Sequence, residues 1–277
     1  MRRLAAAAVL AAAALGAGCQ ASADPALRTP GTGSWLAIAP DNLATLWLIG
    51  PGGTYRSPDG GHSWYRVARL ASGSVAFTPA GSLFAPGGRV LLAASASGSG
   101  GFRAHLRTPV ALHSLTSPWY LSGRLYALDG GGGLWHSHDG GRSWRRSPGR
   151  GLPAGTIELC AALRHNGEPD VVYAAAGHEG LWVSFDSGAS FRRVSARDVT
   201  SVAATPAWFG EVLVAGPNGV WLSSDAGASL RRVAGVDGVT ALAIDPWNRR
   251  IAFAATAGGM LLVSVDGGGR FSAQPAR

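Results

Sequence analysis

The string S-x-D-x-G-x-x-aromatic recurs along most of this chain, and a pattern repeated at a fixed period constrains a fold more than any single motif. It reads SPDGGHSW from Ser57, SHDGGRSW from Ser137, SFDSGASF from Ser184, SSDAGASL from Ser223 and SVDGGGRF from Ser264. In the copy from Ser223, Leu230 stands at the aromatic position. A degenerate copy, SASGSGGF from Ser95, has Ser97 in place of the Asp and Ser99 in place of the Gly. The key positions Asp59, Ser97, Asp139, Asp186, Asp225 and Asp266 are 38, 42, 47, 39 and 41 residues apart, which divides residues 31–277 into six units. These units run about 31–70, 71–109, 110–151, 152–198, 199–238 and 239–277.

Each unit has the same layout. In the last, Val239 to Ile244 reads as an apolar strand, Asp245-Pro246-Trp247-Asn248 as a turn and Ile251 to Ala255 as a second strand. Gly258-Gly259 then turns into Met260 to Val263, and the Ser264 to Gly268 turn leads to a short fourth strand at Arg270-Phe271. Four short strands per unit, six times over, predict an all-β chain: a six-bladed β-propeller of four-stranded antiparallel blades. The motif has a structural job in such a blade. Ser and Asp oxygens bond backbone N–H groups across a tight turn, Gly supplies the positive φ, and the aromatic residue packs between sheets. The residues expected to do this are Ser57, Asp59, Gly61 and Trp64; Ser137, Asp139, Gly141 and Trp144; Ser184, Asp186, Gly188 and Phe191; Ser223, Asp225 and Gly227; and Ser264, Asp266, Gly268 and Phe271. The 41 Gly show neither an every-third-residue period nor one dominant tract, which suits repeated turns and excludes collagen.

The repeats resemble Asp-box (bacterial neuraminidase, BNR) repeats, and the resemblance covers nearly all of residues 31–277. It implies a propeller with the box turns between the third and fourth strand of each blade. Such repeats occur in sialidases, other glycoside hydrolases, sortilin-type sorting receptors and photosystem II assembly factors, so the fold leaves the function open. A sialidase would require an Arg triad, a Tyr nucleophile with a Glu partner, an Asp acid/base and an F-R-I-P-like string. The nearest string here, Leu27-Arg28-Thr29-Pro30, lacks the aromatic residue and the Ile, and the same four letters recur from Leu106 to Pro109. Glu occurs only at 158, 168, 179 and 211, none placed beside one of the five Tyr. No gap between boxes exceeds 47 residues, so the long insertions on which propeller enzymes carry catalytic groups have no room.

Candidate ligand-binding residues come from geometry. Loops between second and third strands, and those between units, share the face opposite the boxes. That places Asp129, His178, Glu179 and Asn218 around one rim, with Arg150, Arg197 and Asp237 as further members. Trp119, Trp208 and Trp247 fall in the first turns of their units on the box face, where blade packing is the first reading. No catalytic residue, metal site or cofactor is assigned. The ligand-like string His136-Ser137-His138-Asp139 aligns with variable positions of the box turn, which explains it without a metal.

The formal charge is +8, and all 24 basic residues are Arg. They are spread along the chain instead of forming one stripe, which argues against a nucleic-acid surface. The pairs 145–146, 192–193 and 231–232 follow the boxes on the expected outermost strands, where charge deters edge-to-edge pairing. At the N-terminus, Arg2-Arg3 and the Ala-rich run Leu4 to Ala17 read as a secretory signal, too short to span a bilayer. Two processing sites compete within residues 1–23: a lipoprotein signal ending at Cys19, and Ala21-Ser22-Ala23 before Asp24. The Cys19 reading is favoured, because a Cys at the end of a signal's apolar run otherwise has no role, although Gly16 departs from the usual Leu. Residues 24–30 are read as a linker, and Cys160, in an apolar run, as a small buried thiol. The chain is thus expected to be an exported, monomeric, non-catalytic envelope module that recognises a protein or glycan, touching the membrane only through a lipid at Cys19. The alternative is a secreted, sialidase-like glycoside hydrolase using rim carboxylates such as Glu179 and Asp129.

Overall fold

The computed structural model describes residues 27–70, 73–78, 81–95, 101–118, 122–164, 168–205 and 210–273. The expected leader with Cys19, the positions Ser97 and Ser99, and Trp119 and Trp208 lie outside the described residues. Every named element is a strand. The first sheet holds β1 (Trp35–Ile38), β2 (Leu46–Gly50), β3 (Gly53–Ser57) and β4 (Tyr65–Ala68) in chain order. A second, seven-stranded sheet holds β5 (Ala76–Phe77), β6 (Ser82–Pro86), β7 (Gly88–Ser95), β8 (Arg103–Thr116), β9 (Leu125–Asp129), β10 (Leu134–Ser137) and β11 (Arg145–Arg146). The third is β12 (Glu158–Ala162), β13 (Val171–Ala175), β14 (Leu181–Ser184) and β15 (Arg192–Ser195). The fourth is β16 (Ser201–Ala204), β17 (Val212–Gly216), β18 (Gly219–Ser223) and β19 (Arg231–Val233), and the fifth is β20 (Val239–Ile244), β21 (Ala252–Thr256), β22 (Leu261–Ser264) and β23 (Ser272–Ala273).

There are therefore five hydrogen-bonded sheets among the described residues where six separate ones were expected. The cause is β8. Its first part, Arg103 to Arg107, pairs with β7, and its last part, Leu112 to Thr116, pairs with β9. The few residues between them make only a register shift opposite Gly88 to Val90, too short a detour to leave the ladder. Between β11 and β12, β15 and β16, and β19 and β20 the chain leaves the ladder in a loop.

Burial follows strand position. The second strands LWLIG, VVYAA, VLVAG and AFAAT are buried along their whole length, as continuous apolar runs should be when both faces of a sheet are covered. The outermost strands expose their Arg pairs. Hydrophobic clusters form between consecutive sheets, for example Val171, Tyr173 and Leu181 with Val202, Val212 and Val214. The first and last sheets also pack together, through Leu36, Ile38 and Leu48 against Ala243, Phe253 and Leu261. The segment Leu27 to Thr29 joins this contact: Leu27 is buried, Thr29 N–H donates to the Gly259 carbonyl (2.8 Å) and Leu261 N–H to the Leu27 carbonyl (3.0 Å). Innermost strands β1, β5, β12, β16 and β20, with the end of β8, surround a channel of about 140 Å³.

Candidate functional site

The five intact motif copies form one repeated turn. In each, the first Ser hydroxyl donates to the Asp Oδ1 (2.7–2.8 Å) and accepts the N–H of the Gly four residues on (2.8–2.9 Å). The Asp Oδ1 also accepts the N–H four residues beyond it, from Ser63, Ser143, Ser190, Ser229 or Arg270 (2.8–2.9 Å). The hydroxyls of Ser63, Ser143, Ser190 and Ser229 donate to the other carboxylate oxygen at 2.5–2.6 Å. This second Ser was a variable position in the sequence pattern, although four of the five copies carry it. Donation from Ser143 and Ser229 holds the Asp139 and Asp225 carboxyls down at about 2. At Asp59, Asp186 and Asp266 burial acts to raise the carboxyl, yet the same hydrogen bonds keep it below the ordinary range. In four copies both carboxylate oxygens are thus engaged by the turn, and Asp266 is engaged through Oδ1. The indole N–H of Trp64 and Trp144 completes it by donating to the Gly61 and Gly141 carbonyls (3.1 and 3.0 Å).

Of the expected rim residues, Asp129 lies at the end of β9 in the second sheet, His178 and Glu179 share the β13–β14 turn of the third, and Asn218 lies in the β17–β18 turn of the fourth. Asp129 Oδ1 accepts Gly131 and Gly133 N–H (both 2.8 Å), and its Oδ2 accepts the Trp135 indole (2.8 Å). Burial acts to raise its carboxyl, but these bonds and the Arg146 charge hold it below the usual range. His178, on an exposed turn, has Nδ1 2.6 Å from Asp198 Oδ2. The Glu179 carbonyl accepts the Trp182 indole N–H (2.9 Å). Arg150 lies apart from the rim, bridged through its backbone to Ser190 of the next box. Asn218, Arg197 and Asp237 do come together, in a cleft with Pro217, Trp221, Leu230 and Arg232. There the Arg197 guanidinium lies 5.3 Å from the Trp221 ring centre and Arg232 pairs with Asp237 at 3.1 Å.

This cleft uses a recurrence that only strand register reveals. Tyr55, Trp135, Trp182 and Trp221 lie directly opposite Arg66, Arg146, Arg193 and Arg232 on the outer strands. The second Arg of each pair therefore lies beside an aromatic residue as well as guarding an edge.

In the His136-to-Asp139 string the two imidazole rings meet edge to face, 5.1 Å between centres, without Asp139 joining them. His136 Nδ1 bonds Ser147 Oγ (2.7 Å) while Asp139 is held in its box, and no group of three His, Cys, Asp or Glu suited to a metal occurs among the described residues.

The channel wall holds two polar groups that sequence reasoning left without a role. The inner edge of an innermost strand has no neighbouring strand, so its N–H groups need other acceptors. Glu158 Oε2 accepts Val202 N–H (3.2 Å), Cys160 Sγ accepts Ala204 N–H (3.2 Å) and Thr116 Oγ1 accepts Ala161 N–H (3.1 Å). Each bond reaches from one inner strand to the next. Burial pushes the Glu158 carboxyl up to about 8 against the opposing Val202 bond. Burial, with the Glu158 charge, pushes the Cys160 thiol up to about 12. Both groups are thus neutral spacers at moderate pH. A different buried network joins the second and third sheets, where Asp170 accepts the Tyr126 hydroxyl (2.8 Å) and lies 3.0 Å from the Arg124 guanidinium.

No family model matches the chain, and no curated protein matches it in sequence. Solved structures do resemble it. A GH74 xyloglucanase from Xanthomonas campestris is 17% identical with a TM-score of 0.62, the match covering 90% of this chain and 46% of that one. The chain thus spans about half the length of that enzyme. YCF48 bound to D1 peptide is 16% identical with a TM-score of 0.54, covering 93% of this chain and 86% of that one. PorZ of Porphyromonas gingivalis, an essential bacterial surface component of the type-IX secretion system, is 13% identical with a TM-score of 0.59, covering 88% and 32%. At such identities the likeness is one of fold: the chain is all-β, built largely of antiparallel four-stranded sheets, and of the β-propeller class.

Proposed function

We propose that this chain is an exported, non-catalytic recognition module of the cell envelope: a six-bladed Asp-box propeller that presents loops to a protein or glycan ligand. In this reading β8 serves two blades, as the outer strand of one and the inner strand of the next, and the packing of the first sheet on the last closes the ring. The observation that carries the non-catalytic part is the state of the polar groups. Both oxygens of Asp129 are occupied by its own turn, as are both oxygens of Asp59, Asp139, Asp186 and Asp225 by theirs. The central channel, about 140 Å³, falls below the roughly 300–1,000 Å³ of a small-molecule site. A rigid disc with satisfied polar groups suits binding better than proton transfer.

Cross-linking the full chain in intact cell envelopes, followed by mass spectrometry, tests this. The expected result is a discrete adduct with an envelope component, and a mature N-terminus at lipid-modified Cys19. No adduct above a background without the chain overturns the recognition role, and an unmodified Asp24 start overturns the anchor.

A further inference from the structure

One box differs from the other intact copies in a way that opens its surface. Trp64, Phe191 and Phe271 each pack into a cluster between their own sheet and its neighbour, and Trp144 into the cluster within the seven-stranded sheet. In the fourth sheet the smaller Leu230 takes that place, packed against the cluster of the third and fourth sheets, and two surface clefts meet at it. One, of about 510 Å³, is lined by Val194, Ala196, Arg197, Gly227, Ala228 and Leu230 with Ser195. The other, of about 580 Å³, continues past Arg197 to Trp221, Asn218 and Arg232. Leu230, like Phe191 and Phe271, lacks the indole N–H that Trp64 and Trp144 donate to the carbonyl of the box Gly, here Gly227.

We propose that this paired cleft between the third and fourth sheets binds an extended peptide of a partner protein, seating a Trp side chain beside Leu230 and a neighbouring carboxylate on Arg197. The inference rests on the recognition reading above and names its site. The molecule carries the template for the seat twice, since the Trp64 and Trp144 indoles fill the equivalent place and bond the equivalent carbonyl. Charge selects the rest of the ligand. Arg232 is paired with Asp237, whereas Arg197 is stacked on Trp221 and has no carboxylate partner among the described residues. Such a guanidinium, presented at a cleft, favours an anion. The mostly apolar floor of Val194, Ala196, Ala228 and Leu230 offers little to a sugar's hydroxyls, which favours a peptide over a glycan.

The test is an NMR titration of the full chain with four probes: N-acetyltryptophan, N-acetyltryptophanamide, N-acetylaspartate and methyl β-glucoside. N-acetyltryptophan is expected to shift the amides of Val194 to Arg197, Gly227 and Ala228, with the uncharged amide about tenfold weaker for want of a charge-assisted hydrogen bond. Arg197→Gln should abolish the difference between these two probes. Leu230→Trp should fill the seat, weaken N-acetyltryptophan by at least about tenfold and melt no lower than the parent. The proposal is overturned if neither indole probe shifts the cleft, if the glucoside or N-acetylaspartate shifts it as strongly, or if Leu230→Trp folds and binds N-acetyltryptophan unchanged. Should Leu230→Trp not fold, the Arg197→Gln comparison decides alone. Envelope cross-linking of the parent chain separates the two readings: an adduct together with an unresponsive cleft removes only this site, whereas no adduct above background removes the recognition role.

Discussion

Gly141→Ala is expected to destabilise the chain by about 3 kcal/mol, whereas Gly140→Ala, one residue earlier in the same turn, is expected to cost only about 1 kcal/mol. Both glycines have left-handed backbones, with φ of 72° and 87° for Gly140 and Gly141. An L-residue there pays a penalty of about 1–2 kcal/mol for the backbone alone. The two differ in what a new methyl group meets. At Gly140 the nearest atom is the mobile Arg142 guanidinium at 3.7 Å, but at Gly141 a Cβ falls 2.6 Å from Leu91 Cδ1 on β7. The same relation recurs along the chain, with Gly61 against Leu261, Gly188 against Leu134 and Gly227 against Leu181. The box turn is therefore pressed onto a neighbouring unit, and its Gly is required for contact between units as much as for the turn. Urea unfolding of the two variants measures the difference, and equal losses would show that the turn acts on its own unit only.

Stability should also fall as pH rises from about 5 to 8, and Glu158→Gln should remove most of that fall. The Glu158 carboxyl lies near 8 in the folded chain against an ordinary 4.5. Across that window the folded chain keeps a proton that the unfolded chain releases, so the stabilisation present below 4.5 is lost as pH climbs, by about 1.4 kcal/mol per unit at most. Asp170 and Asp245, raised by burial, add to the trend at its acid end, and His136, lowered by burial, opposes it near neutrality. Comparison with the variant isolates Glu158. The box carboxyls act the other way: held below their ordinary values, they favour folding above about 4, and that support disappears as pH falls toward 2. Urea midpoints at pH 4.5, 6 and 7.5 check the slope. Parallel curves for parent and Glu158→Gln would rule out the buried carboxyl as its origin.

What the sequence made legible was local. A box turn is closed by a handful of adjacent residues, so its copies announce both the period and the turn, and strand type followed from the apolar runs between them. What required long-range geometry was hidden. Whether the residues around Thr108-Pro109 leave the sheet or only shift its register depends on β7, more than ten residues away. The opposition of Trp182 and Arg193 depends on register across a turn. Glu158 could have been noticed, because a carboxyl at the head of the apolar run LCAAL conflicts with an inner strand unless its charge is suppressed or partnered. The recurrent second Ser was likewise visible and informative. Leu230 was visible as a departure from the motif, but the clefts that meet at it were not. The rim set was chosen by loop position, which places residues at one end of the sheets without bringing their side chains together. Only Asn218, Arg197 and Asp237 share a cleft.

Turnover of a glycoside panel, including xyloglucan and sialosides, by the full chain distinguishes the proposed recognition module from a hydrolase most directly. Hydrolysis should not exceed that of buffer with the parent or with Glu179→Gln. Turnover by the parent that disappears in Glu179→Gln would contradict the recognition module.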